Sequence, residues 1–229
     1  MEVGDPVILH PLATCGLCRA CRFGDDVHCE NSTFPGINVD GGYAEYMKTT
    51  ARSIVKLDPK LKPADVVALA DAGLTAHHVA SKAAKFLRPG DNCLAKQIGA
   101  DHTVQATDDG SFVKEVLELT NGQGAEAVID FVAEGGSTST GVKMLRRAGN
   151  HYVVGYGENI NIPTIDIISA EINFIGNLVG SYNDLVELMT LAAQGKVKLH
   201  TTQYKLEDFQ KAIDDLSSGK VRGRAILIP

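Results

Sequence analysis

The chain has 229 residues, 44% of them hydrophobic and 22% charged, with a net charge of −6. That length carries one large domain or two small ones with real cores. The acidic balance, without any long basic run, speaks against a nucleic-acid or anionic-membrane partner, and no apolar run approaches the roughly 20 residues of a spanning helix. Glu2 and Asp5 follow Met1 at once, so no signal peptide is expected and the cytoplasm is the expected compartment.

In chain order, Gly4-Asp5 reads as a turn before a short strand ending at Ile8. Next comes Cys15-Gly-Leu-Cys18-Arg-Ala-Cys21, with Cys29 eight positions on. Four thiolates fill the coordination of a tetrahedral zinc and leave no open position, so the expected role is to tie down a loop, not to do chemistry. Clustered cysteines in a reducing compartment fit metal better than a disulfide framework. A nucleic-acid zinc ribbon would need two separated Cys pairs and a basic face, and neither is present.

Residues 32–42 read as loop, and Tyr43–Met47 and Ser53–Leu57 alternate as strands. Pro63–Asp71 turns helical with Pro in the first turn, and Leu74–Leu87 continues so up to Pro89-Gly90. Beyond that, helix and strand alternate. Phe112–Leu119 places its apolar residues on one helical face and Asn121-Gly-Gln-Gly124 ends it; Ala127–Val132 reads as a buried strand. Ser137–Arg147 reads as a helix closed by Gly149, followed by strands at Tyr152–Gly155 and Ile172–Ile175. Helices over Leu185–Ala193 and Leu206–Leu216, closed by Gly195 and Gly219, precede a last strand, Ala225–Ile228. Such alternation predicts a doubly wound parallel sheet.

The order of segments resembles the zinc-dependent medium-chain alcohol dehydrogenase family. The resemblance rests on the cysteine loop, Val3-Gly-Asp-Pro-Val, Gly42-Tyr-Ala-Glu-Tyr, Leu69-Ala-Asp-Ala-Gly-Leu-Thr-Ala, Leu87-Arg-Pro-Gly-Asp, Ala127-Val-Ile-Asp and Gly219-Lys-Val-Arg-Gly-Arg-Ala. It implies an α/β protein with a GroES-like, β-rich catalytic domain (1–75 and 179–229) and a Rossmann-like cofactor domain (76–178). The implied activity is hydride transfer between an alcohol, or its aldehyde or ketone, and NAD(P), with NAD favoured. Zinc is implied twice, once structural and once catalytic; the catalytic ion requires about three protein ligands and an open position. A homodimer or homotetramer is implied too, with the apolar Ile160–Ile168 stretch a candidate contact.

Two parts of the family pattern have no match here. One is the Cys and Gly-His-Glu segment that supplies two catalytic-zinc ligands. The other is the Gly-x-Gly-x-x-Gly unit with its ribose-binding acid, which belongs after Cys93, where Leu94–Asp101 follows instead. Gly99, Gly122 and Gly124 read as turn glycines and cannot replace it. The expectation is therefore that the sequence joins segments of a longer chain, with Met1 an internal residue. A truncated or deleted, non-catalytic, zinc-stabilised remnant of the same fold is the alternative.

By the resemblance, the structural zinc takes Cys15, Cys18, Cys21 and Cys29. Asp71 stands at a catalytic-zinc ligand position, and its apolar neighbours Val67, Leu69 and Leu74 predict a buried acid; otherwise it is a helix-end cap. Thr75 lies beside the nicotinamide ring. Val132, Gly155, Tyr156, Asn177, Leu178 and Val179, at or just past strand ends, hold the nicotinamide and its carboxamide, or else are plain sheet core. Arg224 meets the pyrophosphate, or is a solvated surface arginine. His77 and His78 are expected to be packed or solvent-facing rather than chemical, and Cys93 to be a small apolar residue at a strand start.

Overall fold

The computed structural model describes residues 1–85, 100–107 and 109–229. The expectations at Cys93 and at the Leu94–Gly99 junction lie outside these residues, as does the end of the helix expected to reach Leu87. In chain order the strands are β1 (Val7–Leu9), β2 (Ile54–Lys56), β3 (Ala125–Asp130), β4 (Leu145–Val153), β5 (Asn173–Gly176), β6 (Thr201–Lys205) and β7 (Arg224–Ile228). The helices are α1 (Arg19–Arg22), α2 (Pro63–Val66), α3 (Ala72–Ala84), α4 (Phe112–Leu119), α5 (Ser137–Lys143), α6 (Thr164–Ala170), α7 (Tyr182–Ala193) and α8 (Phe209–Ser217). None is long and apolar enough to cross a membrane among the described residues.

The chain forms two compact units, Met1–His78 with Val179–Pro229, and Val79–Leu178. In the first, β1 and β2 pair antiparallel, Val7 opposite Lys56 and Leu9 opposite Ile54, while β6 and β7 pair in parallel. Its core joins Ile8, Val55 and Leu57 to Leu69, Leu74 and the inward face of α7. That face is Leu185, Leu188, Met189 and Ala192, the i, i+3, i+4, i+7 spacing of one helix stripe. In the second unit, β3, β4 and β5 make a parallel sheet in that order, as the helix–strand alternation predicts. Val79 and Ala83 pack with the fully buried Tyr152 against it.

Three local expectations are corrected. Tyr43–Met47 is irregular, with Tyr43 and Tyr46 exposed; alternation makes a strand only where a neighbour takes its hydrogen bonds, and none is paired with it among the described residues. The helix from Ser137 stops at Lys143, and 145–149 join β4 instead. There Ala125 pairs with Leu145 and Ala127 with Asn150, so the β4 side bulges, and Arg146 closes an ion pair with Glu126 of β3. Strand β6, Thr-Thr-Gln-Tyr-Lys, was not expected at all: its composition is polar, and pairing with β7 defines it.

Candidate metal centre and cofactor edge

The four cysteines sit on the loop between β1 and β2. Their sulfur atoms all lie within 4.8 Å of one another, and all four thiols are free. Tetrahedral zinc with Zn–S of about 2.3 Å sets its sulfurs about 3.8 Å apart, and Cys15 and Cys21 are 4.0 Å apart. The loop also points backbone donors at sulfur: Leu17 and Cys18 N–H to Cys15 at 3.4 Å, and Cys15 N–H to Cys29 at 3.3 Å. Those two donors on Cys15 pull its pKa down to about 6, whereas burial pushes Cys21 up to about 12. The cluster thus fits one tetrahedral, thiophilic cation. Gly16 has φ +71°, and a Cβ there would overlap the Arg52 guanidinium, so that cation rests on the turn between two of the ligands.

The loop is docked by Asp26, a buried residue between Cys21 and Cys29. Its Oδ1 accepts the backbone N–H of Tyr182, the first residue of α7, at 2.9 Å. One residue earlier, Ser181 forms a capping box with Asp184, and its N–H and hydroxyl both donate to Asp184 Oδ2 at 2.8 Å. The same oxygen faces His78 Nδ1 at 2.9 Å. Burial would raise the Asp184 pKa, but the His78 and Ser181 donors outweigh it and hold it well below the usual carboxylate range. Three of these partners, Asp26, Ser181 and Asp184, carried no sequence signal for a site, because their contacts span 106 to 156 positions or depend on the helix start. Of the two histidines given no direct role, His78 is buried in this pair and His77 meets Glu187 at 3.4 Å.

Asp71 is exposed, not buried: it ends a 3-10 turn after Leu69, and its carbonyl accepts Thr75 N–H at 2.8 Å. The neighbours that suggested burial diverge, Leu69 and Leu74 pointing into the core while Val67 stays 45% exposed. Among the described residues Asp71 belongs to no group of three potential metal ligands. Thr75 lies half-buried in the first turn of α3. Arg224 is exposed at the start of β7, its N–H bonded to His200 O at 3.0 Å.

In the second unit the expected cofactor residues fall on the carboxyl edge of the parallel sheet, where open α/β sheets bind ligands. Val132 follows β3, Gly155 and Tyr156 follow β4, and Asn177 and Leu178 follow β5. Val132, Tyr156 and Leu178 present exposed apolar surface. Asp130 builds this edge. Its Oδ1 accepts Val132 and Ala133 N–H, both at 2.9 Å, and its Oδ2 accepts the hydroxyls of Ser137 at 2.8 Å and Thr138 at 2.9 Å. Burial alone would raise its pKa; these four donors more than offset that and lower it. Gly155 is forced by contact, since a Cβ would overlap the Val132 carbonyl. Asn177 turns inward, its amide donating to Ile175 O at 2.9 Å. Val179, buried in the core of the first unit, holds φ +41°, a strained conformation for a β-branched residue.

The profile described as zinc-binding dehydrogenase matches residues 78–194, and that of the alcohol dehydrogenase GroES-like domain matches residues 1–59. An NAD-dependent alcohol dehydrogenase of Sulfolobus acidocaldarius is 31% identical over 261 positions, covering 97% of this chain and 74% of the relative. Because 261 exceeds 229, at least 32 positions of that alignment have no counterpart here (261 − 229 = 32). A D-arabinose 1-dehydrogenase (NADP+) of Saccharolobus solfataricus is 29% identical, covering 100% of this chain and 76% of the relative. Among solved structures, the alcohol dehydrogenase of Aeropyrum pernix superposes with a TM-score of 0.93 at 40% identity, covering 100% of this chain and 77% of that one. The chain belongs to the zinc-dependent medium-chain alcohol dehydrogenase family, with its GroES-like and Rossmann-like parts, and its role is that of an oxidoreductase.

Proposed function

We propose, on the premise of that family, that the protein oxidises an alcohol or reduces the matching carbonyl with NAD as hydride partner, and that zinc holds its cysteine loop. The observations that carry the reading are the four-sulfur cluster of the first unit and, in the second, a parallel sheet whose carboxyl edge presents exposed apolar residues. NAD is favoured over NADP by the Sulfolobus acidocaldarius relative, while the D-arabinose relative keeps NADP in play as the second reading.

The proposed roles are as follows. Cys15, Cys18, Cys21 and Cys29 hold the structural zinc, which supplies a rigid cross-link and no reactive position. Val132, Gly155, Tyr156, Asn177 and Leu178 bind and orient the nicotinamide ring on the sheet edge, with Asp130 fixing the backbone beneath Val132. Val179 and Thr75 are proposed as further nicotinamide contacts on the strength of the family resemblance. Arg224 presents a guanidinium for the pyrophosphate. Asp71 is proposed as a catalytic-zinc ligand position. The domains are proposed as 1–75 with 179–229, and 76–178. The substrate is a small alcohol or carbonyl compound, and a homo-oligomer is proposed from the exposed Ile160, Ile165 and Ile168.

Equilibrium binding of NADH, read by its fluorescence, tests this. Enhancement and blue shift that saturate with protein are expected; no change at any concentration of zinc-loaded protein would leave the remnant reading standing.

A further inference from the structure

We infer that Asp26 is a positioning residue that carries the metal state of the cysteine loop to the start of α7 and onward to His78. The inference rests on the proposal that the four cysteines bind zinc.

Asp26 lies between two ligands; its carbonyl is tied directly to Cys29, and the turn that leads to it is tied to Cys21. The Cys29 N–H donates to the Asp26 carbonyl at 3.0 Å, and the Gly24 N–H donates to the Cys21 carbonyl at 3.2 Å. Coordination of Cys21 and Cys29 therefore fixes where the Asp26 carboxylate stands. That carboxylate is buried and takes the Tyr182 N–H, an orphan donor of the first helical turn. Negative charge at a helix N-terminus is favourable as well as geometrically apt.

The route continues through contiguous hydrogen bonds. Ser181 precedes Tyr182 and gives Asp184 Oδ2 both its N–H and its hydroxyl, and His78 gives the same oxygen its Nδ1–H. His78 belongs to α3, whose first turn contains Thr75. Two other contacts hold the same segment, His10 Nε2 to Gly180 O at 2.8 Å and Tyr182 OH to Ile54 O at 3.0 Å. Neither comes from the Cys15–Cys29 segment; among the hydrogen bonds of the described residues, that of Asp26 is the one joining the segment to the start of α7.

Hydrogen–deuterium exchange with zinc content measured on the same samples tests the inference. In the zinc-loaded wild type, amides 181–184 are protected. Removing zinc with a chelator should speed their exchange about tenfold, as losing a helix cap does, while β3 keeps its protection. In Asp26→Ala the zinc-loaded protein should already exchange at the fast rate, and chelation should change residues 15–29 only. Asp26→Asn keeps an acceptor oxygen and should restore the wild-type response. Unchanged exchange at 181–184 after zinc loss, an Ala variant that still responds, or equal loosening of β3 would each overturn the inference. Where Asp26→Ala does not fold, the wild-type and Asn arms decide alone. Protein that binds no zinc at all overturns the cysteine-site reading and the inference together, whereas zinc bound without a response at 181–184 overturns only the inference.

Discussion

His78 and Asp184 form a part-buried pair across 106 positions of sequence, Nδ1 to Oδ2 at 2.9 Å. A carboxylate only accepts, so the proton on that bond sits on His78 Nδ1. Because Ser181 donates twice to the same oxygen, one side chain both caps α7 and anchors α3. Asp184→Ala should lower the unfolding free energy by about 2 kcal/mol, the cost of leaving the His78 and Ser181 donors without their acceptor. Asp184→Asn, which still accepts from Ser181, should lose less. The Asp184 pKa is depressed in the fold, so its contribution is complete above the unfolded value of about 4 and is lost as pH falls toward the folded one. Urea melts at neutral pH and near pH 3 should therefore show an acid-induced loss in the wild type that is smaller in Asp184→Asn.

A second pH dependence belongs to His151. It is fully buried beside Phe174, and neither ring nitrogen has a hydrogen-bond partner among the described residues. Burial lowers its pKa, opposed by the charge of Asp130. The imidazole is thus neutral in the fold, and stability is full above the unfolded value of about 6.5 and falls as pH drops below it, because the unfolded chain then takes up a proton the folded one refuses. His151→Leu should flatten stability between about pH 6.5 and 5 and leave it near wild type at pH 8. A wild-type profile that is already flat there would count against a neutral buried imidazole.

Much of this organisation can be read from sequence, and the failures have physical causes. The cysteine cluster is legible because its four residues fall within fifteen positions, so local spacing alone brings the sulfurs together. Helix α4 coincides with the Phe112–Leu119 stripe because its apolar face is continuous. Residues 145–149 have helical composition, yet the parallel register with β3 and the Arg146–Glu126 pair draw them into a strand. Asp26, Asp184 and His78 look like ordinary polar residues, since what distinguishes them is a partner more than 100 positions away. The burial expected of Asp71 failed for a related reason: apolar neighbours in a 3-10 turn need not share a face with the residue between them.

At the sheet edge, Gly155→Ala should be costly beyond its size. The added methyl group overlaps the Val132 carbonyl, so the strand ends must separate. We expect a loss of about 2 kcal/mol, in the range of overpacked cores, and weaker NADH binding, checked by thermal melts and by fluorescence titration. Unaltered NADH affinity would remove Gly155 from the proposed cofactor contacts.

For the cysteine cluster, Cys21→Ser or Cys29→Ser should each lower zinc content by one ion per chain and reduce thermal stability. Chelation should bring the wild type to the same melting temperature as the Cys21→Ser protein, because structural zinc contributes folding energy directly. Atomic absorption and melting curves on matched samples measure both.

The most direct test of the account is NADH formation by zinc-loaded protein given NAD and a panel of small primary and secondary alcohols. Alcohol-dependent formation of reduced cofactor is expected, faster with NAD than with NADP, and abolished when alcohol is omitted. No NADH from any alcohol, by protein that carries its zinc and binds NADH, would contradict it.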